Sequence, residues 1–135
     1  MKKRAFLVIP ILIGGLAILS MKTTGFEQQE TWIVPEEYQN MKNPFADYED
    51  EDSIGRMVYS KYCKMCHGKK GQGDGSAGKL LNTPVADFTA ASFKDQTDGS
   101  IYYKISKGRK DMPSFEKVIQ SDEDFWMLVK YVKNL

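Results

Sequence analysis

Cys63 and Cys66 are the only cysteines in this 135-residue chain, and its only histidine, His67, follows the second directly. The pentapeptide Cys63-Lys64-Met65-Cys66-His67 limits the fold more than any other stretch. Two thiols cannot form the multi-bridge framework that staples small secreted folds. One imidazole excludes an internal bis-His iron site, and three donors with no second pair leave a structural zinc site short of its four ligands. A redox-active Cys-x-x-Cys pair wants a strand before it and a long helix after it, whereas Gly68, Gly71, Gly73 and Gly75 follow here. A disulfide between residues three apart would do little. The reading that uses all three side chains is c-type haem attachment. The thiols form thioethers to the vinyl-derived carbons on one porphyrin edge, and the adjacent imidazole gives the iron its proximal nitrogen. One covalent haem c is predicted on Cys63, Cys66 and His67.

The distal ligand must then be a Met sulfur, a Lys amine or an open position. Of the seven methionines, Met1, Met21 and Met41 lie before the haem-bearing part. Met57 and Met65 are too close to the attachment site in sequence to cross the ring easily, and Met127 falls within a terminal helix. Met112 differs, lying 45 residues after His67 in the stretch Gly108-Arg109-Lys110-Asp111-Met112-Pro113. Pro113 biases Met112 toward an extended backbone, which suits a loop that projects its thioether. Filling the core is the ordinary use of a lone Met.

Charge divides the chain into three. Lys2-Lys3-Arg4 precedes Ala5 to Met21, a run of 17 uncharged residues, which is the pattern of a signal anchor or signal peptide. Its length sits at the lower edge of what spans a bilayer, and the basic cluster should stay inside while the rest is exported. Export agrees with attachment of c-type haem on the outer side of the cytoplasmic membrane. Glu27 to Ser53 carries nine acidic residues and one basic one, Lys42, including the run Glu49-Asp50-Glu51-Asp52. That reads as an irregular tether, either a solvated spacer or a segment that docks through Trp32, Tyr38, Phe45 and Tyr48. Ile54 to Leu135 reverses the sign, with 14 basic and nine acidic residues. The expected organisation is 1–25 signal anchor or signal peptide, 26–52 acidic linker and 53–135 haem domain. A net charge of +1 argues against nucleic-acid binding.

Three helices are predicted in the last part. Ser53 would cap a helix to about Cys63 or Lys64, with Ile54, Val58 and Tyr62 spaced four apart. Thr97 would cap another through about Ser106, with Ile101 and Ile105 on one stripe and Gly108 as the stop. Ser121, with Asp124 at N3, opens a terminal helix bearing Phe125, Leu128, Val129 and Val132. No stretch alternates with period two for long enough to form a sheet, so the domain should be all-α with long loops.

The Cys63 to His67 motif, the preceding helix with Gly55 and Tyr59, the Met112-Pro113 loop and the helix with Trp126 and Tyr131 resemble a class I cytochrome c domain over residues 54–135. The resemblance implies that the first and last helices cross closely, with Gly55 as the small contact residue and Leu128 and Tyr131 opposite it. It also implies Met112 as distal ligand, and a carbonyl in the Pro-bearing loop, assigned to Pro84, as acceptor of the proximal imidazole proton. Gly68-Lys69-Lys70-Gly71-Gln72-Gly73-Asp74-Gly75, Pro84-Val85-Ala86-Asp87-Phe88 and Met112-Pro113-Ser114-Phe115 are similar to mono-haem cytochromes of bacterial respiratory complexes. These include the cytochrome subunit of alternative complex III and the haem domains of cbb3-type oxidases. The chain has one attachment motif where the two-haem oxidase subunit has two, and no cysteine for lipid anchoring.

The implied function is single-electron transfer in a respiratory chain, between a quinol-oxidising complex and a terminal oxidase, rather than catalysis on a small-molecule substrate. The implied location is the outer, periplasmic face of the bacterial cytoplasmic membrane, or the soluble periplasm after cleavage. Partners would be respiratory-complex or other redox proteins, met through lysines such as Lys61, Lys64, Lys69, Lys70 and Lys79. Competing readings are a small peroxidase-like enzyme with a gated distal site and a subunit whose haem is structural.

Overall fold

The computed structural model describes residues 31–135, and the hydrophobic run Ala5 to Met21 lies outside them. Residues 32–135 make up one compact unit, so the boundary expected at residue 53 falls inside it. Among the described residues there are helices and long loops and no β-strand, with a single isolated bridge between Arg109 and Met112. The helices are α1 (Glu36–Gln39), α2 (Ile54–Tyr62), α3 (Lys64–His67), α4 (Ala91–Lys94), α5 (Asp98–Lys107) and α6 (Asp122–Lys133), with a 3-10 turn at Gly78–Leu80. The three expected helices are α2, α5 and α6.

Two of the three expected caps form. The Thr97 hydroxyl accepts from the Ser100 amide at 3.2 Å and the Ser121 hydroxyl from the Asp124 amide at 3.2 Å. Acidic residues fill the first turn of α6 and Lys130 and Lys133 its last, both favourable to the helix dipole. Ser53 does not cap α2. Its backbone is left-handed at φ +55°, which turns the side chain away from the free amides. Asp50 replaces it, its carboxylate accepting from Ile54 at 2.6 Å and Gly55 at 3.0 Å. A carboxylate on free N-terminal amides satisfies both the hydrogen bonds and the dipole.

The core is built where α2 crosses α6. Leu128, Val129 and Val132 on α6 are almost wholly buried with Tyr59 of α2, and Ile101 and Ile105 of α5 close the cluster. A Cβ on Gly55 would overlap the Met127 carbonyl oxygen and lie 2.8 Å from Tyr131 Cβ, so the two backbones touch with nothing between them. Tyr131 is opposite Gly55 as the resemblance implied, but the nearest backbone belongs to Met127 rather than Leu128.

The segment read as a tether is a strap laid on the domain from Trp32 onward. Val34 and Asn43 are buried, and the Asn43 side chain donates to the Trp126 carbonyl at 3.3 Å while accepting from the Phe45 amide at 2.8 Å. The Tyr38 and Tyr103 rings lie 4.8 Å apart, and Tyr38 and Met41 pack so closely on α5 that Gly99 has no room for a side chain. Lys130 of α6 donates to the carbonyls of Ala46 at 2.8 Å and Tyr48. Val34 is buried and Tyr38, Met41 and Phe45 are half-buried, whereas Ile33, Tyr48 and most of the acids are exposed.

The α2–α6 contact leads to a direct expectation. Gly55→Ala should destabilise the haem-loaded protein by about 1–3 kcal/mol through overpacking, and Gly55→Leu by more. A lower denaturant midpoint with an unchanged slope is the measurement; an unchanged midpoint would mean the helices do not meet at Gly55.

Candidate haem site

α2 ends at Tyr62, and the chain turns at Cys63 straight into the short α3, which carries Cys66 and His67. The Cys66 and His67 amides both donate to the Cys63 carbonyl, at 3.1 and 2.9 Å, so the motif is wound as one tight turn. Gly68 follows at φ +83°, and the Tyr59 hydroxyl donates to its carbonyl at 2.7 Å. The glycine loop then folds back beneath the motif. The Gly75 amide donates to the Cys66 carbonyl at 3.1 Å and the Ala77 amide to the Met65 carbonyl at 3.0 Å. Gly71 and Gly73 adopt positive φ. Gly75 does not, and is needed because a Cβ there would strike the Met65 and Cys66 carbonyls.

His67 is buried, and burial pushes its pKa down against the weaker opposing effect of its backbone partner. It is therefore a neutral imidazole at neutral pH. Its Nδ1 lies 3.3 Å from the Ala86 carbonyl oxygen, which leaves Nε2 free as a ligand atom. The acceptor is thus Ala86, not Pro84. The Pro84-bearing loop does lie beside the imidazole, but its extended path presents the carbonyl two residues later. Phe88, at the end of the same loop, stacks on the His67 ring with centroids 4.3 Å apart and 20° between planes. Hydrogen bond and stacking together fix the imidazole in one orientation.

Cys63 is a free thiol whose pKa burial pushes up to about 12, with the Cys66 sulfur adding to the effect. A redox nucleophile needs the opposite shift, toward thiolate. Among the described residues no three His, Cys, Asp or Glu side chains converge on a point that could hold a bare metal ion. Cys63, Cys66 and His67 share one tight turn, which suits a flat group bonded at its edge and ligated from one face. The donor set fits haem c.

The structure also separates the methionines. Met57 and Met65 are 55 % and 69 % exposed, and Met127 is buried in α6. Met41, set aside in sequence as outside the domain, is brought into it by the strap and packs at Gly99. Met112 packs on the core cluster that Cys63 also touches, and the Tyr62 and Phe115 rings, 6.1 Å apart, join the two segments. Its backbone pairs with Arg109 in both directions, at 2.9 and 3.0 Å. Beyond Pro113, the Ser114 hydroxyl donates to the Ser106 carbonyl at 2.7 Å and the Phe115 amide to the Ile105 carbonyl at 3.2 Å. Asp111 accepts from the Thr83 amide at 3.0 Å, and the Thr83 side chain, with that amide, holds its carboxylate below the usual range. This last contact ties the Met112 loop to the loop that carries Ala86.

Residues 50–132 match the family described as cytochrome c oxidase, cbb3-type, subunit III. The chain belongs to that family. The matched residues form a haem c-binding electron-transfer domain of the class I cytochrome c type, carrying one attachment motif and one haem. A comparison with curated proteins finds no match. The match begins at the Asp50 cap and ends just short of the end of α6, so it covers the crossing helices, the motif and the Met112 loop but leaves out most of the strap.

Covalent attachment is directly testable. Cys63→Ala with Cys66→Ala should abolish haem staining after denaturing electrophoresis, since no other thiol exists in the chain. Haem retained on that double variant would overturn the attachment site.

Proposed function

We propose that the protein is a membrane-tethered carrier of single electrons in a bacterial respiratory chain, taking them from a quinol-oxidising complex and delivering them to a terminal oxidase. His67 and Met112 are the axial ligands in this reading, and the run Ala5 to Met21 holds the domain at the outer face of the cytoplasmic membrane. The observation that carries it is the double fixing of the two ligand loops: Ala86 orients His67, and Thr83 on the same loop grips Asp111 beside Met112. When bound, the haem supplies the Fe(III)/Fe(II) couple. The polypeptide holds both ligands still, which keeps reorganisation on electron transfer small and leaves no open position for oxygen or peroxide.

Two further features suit carriage. Met65 and Leu80 stand exposed, at 69 % and 85 %, among the exposed Lys61, Lys64, Lys69 and Lys79 around the attachment motif. An apolar centre ringed by cations suits brief docking on an acidic partner, with electrostatics raising the encounter rate. Lys107 and Arg109, on the Met112 side, are engaged within the molecule, with Glu116 at 2.6 Å and the Trp32 ring respectively.

A thioether favours Fe(II) over Fe(III) and raises the potential. Met112→Ala should therefore lower the midpoint, each fall of about 59 mV corresponding to tenfold in the one-electron equilibrium. It should also abolish the long-wavelength sulfur-to-iron charge-transfer band and give the ferrous protein affinity for carbon monoxide. A variant that keeps both band and midpoint places the sulfur elsewhere. For carriage itself, stopped-flow mixing with membranes should show reduction by quinol and reoxidation by the oxidase within the turnover time. Haem that stays in one oxidation state during respiration would refute it.

A further inference from the structure

The Met112 loop is a two-residue hairpin from Arg109 to Met112, an isolated bridge with no further strand pairing to extend it. Lys110 at its tip sits at φ +54°, a left-handed conformation that a lysine adopts at a cost. A pair of this size does not stand alone in water and depends on what braces it from outside. Asp111 is braced by Thr83, and the residues after Met112 are braced by α5. The remaining corner is Arg109, which meets the first residue of the strap. The Arg109 guanidinium lies 4.7 Å from the centre of the Trp32 ring, and Lys104 of α5 shares that ring at 5.8 Å.

We propose that Trp32 is a positioning residue for the distal ligand: by holding Arg109 against its indole, it steadies the Arg109–Met112 backbone pair and so keeps the Met112 sulfur in place. The part of this that concerns the iron rests on the His67/Met112 ligation proposed above. The ring has a particular task there. Lys104 and Arg109 are like charges, and Arg109 adds to the burial that already pushes the Lys104 pKa down. An indole face attracts both cations and lets them sit side by side. Without it, the attraction that offsets the Lys104 repulsion on Arg109 is lost, and the Arg109 backbone is one half of the bridge to Met112. Trp32 is itself held, because Val34 is buried with its carbonyl accepting from Gln39 Nε2 at 2.7 Å, and the Tyr38 ring packs at a tilt on Tyr103 of α5.

The test uses the full haem-loaded chain with Trp32→Ala, Trp32→Phe, Arg109→Gln and Met112→Ala. Imidazole, titrated into the ferric protein, competes with the thioether for the sixth position. Trp32→Ala should raise imidazole affinity roughly two- to five-fold, and Trp32→Phe should recover most of the loss, because the ring supplies the attraction. Arg109→Gln should mimic Trp32→Ala, and combining the two should add little. Amide hydrogen exchange gives a readout independent of ligation: the Arg109 and Met112 amides should exchange faster in Trp32→Ala, while amides in the α2–α6 core should not. If Trp32→Ala fails to accumulate, Arg109→Gln carries the same comparison. Unchanged imidazole affinity and unchanged exchange in Trp32→Ala, with the charge-transfer band lost in Met112→Ala, overturns the inference and leaves the ligation intact. A band that survives Met112→Ala overturns the ligation and the ligand-positioning claim with it, and exchange then decides only whether Trp32 braces the hairpin.

Discussion

Where α2 crosses α6, the Met127 carbonyl occupies the space a Cβ on Gly55 would need. Contact at that range fixes the rotation of α2, and the rest of the site follows from the rotation. One turn on, Tyr59 is driven into the core, its ring 5.3 Å from Tyr131 and 6.4 Å from Phe88. Its hydroxyl must then find a partner, since an unpaired buried hydroxyl costs more than the hydrogen bond itself returns. The Gly68 carbonyl is that partner, and it lies immediately after His67. Phe88, pressed by Tyr59 on one side, stacks on the imidazole on the other. A missing side chain on one helix thus sets the plane of a ring twelve residues later.

Around that imidazole, the protein prepares donors in their uncharged forms. Burial favours the neutral form of His67 and, before the thioether forms, of the Cys63 thiol. Neither carries a charge that burial would have to leave unpaired. With His67 and Met112 as the proposed axial groups, the two would act on the couple in opposite senses. A carbonyl on Nδ1 makes the imidazole a stronger electron donor and favours Fe(III), whereas a thioether favours Fe(II). Ala86 and Asp111 lie in loops far apart in sequence and meet through Thr83, so the two adjustments are mechanically joined.

The legible parts of this molecule are those governed by local chemistry. Ile54, Val58 and Tyr62 announce α2 by their spacing, and Thr97 and Ser121 announce helix starts because their hydroxyls reach only their own first turns. The attachment motif is local too. Ser53 misled because the same chemistry was available three residues earlier, and four successive acids gave no means of choosing Asp50. Ala86 misled for a different reason: a backbone carbonyl has no signature, and only the path of the chain past Pro84 selects it. Phe88 was equally hidden, being one aromatic among many until the glycine loop brings it beneath His67. The strap was half legible. Its acids said solvent, and most of them do face solvent, but Asn43 finds a partner far along the chain, Phe45 packs on the core and Val34 is buried, and the three obey no period.

Because the strap is docked from Trp32 onward, only the ten residues 22–31 separate the domain from the hydrophobic run. Ten residues reach at most about 35 Å when fully drawn out. A free linker extending to residue 52 would have allowed roughly three times that contour. If Ala5 to Met21 holds the chain in a bilayer, as proposed, the haem domain would be a short-armed swing, not a diffusing courier. It would exchange electrons with complexes standing beside it in the same membrane, and would not reach distant ones without its anchor moving too. Its working range would be set by lateral neighbourhood, with the contacts of the strap from Trp32 onward drawing that radius in.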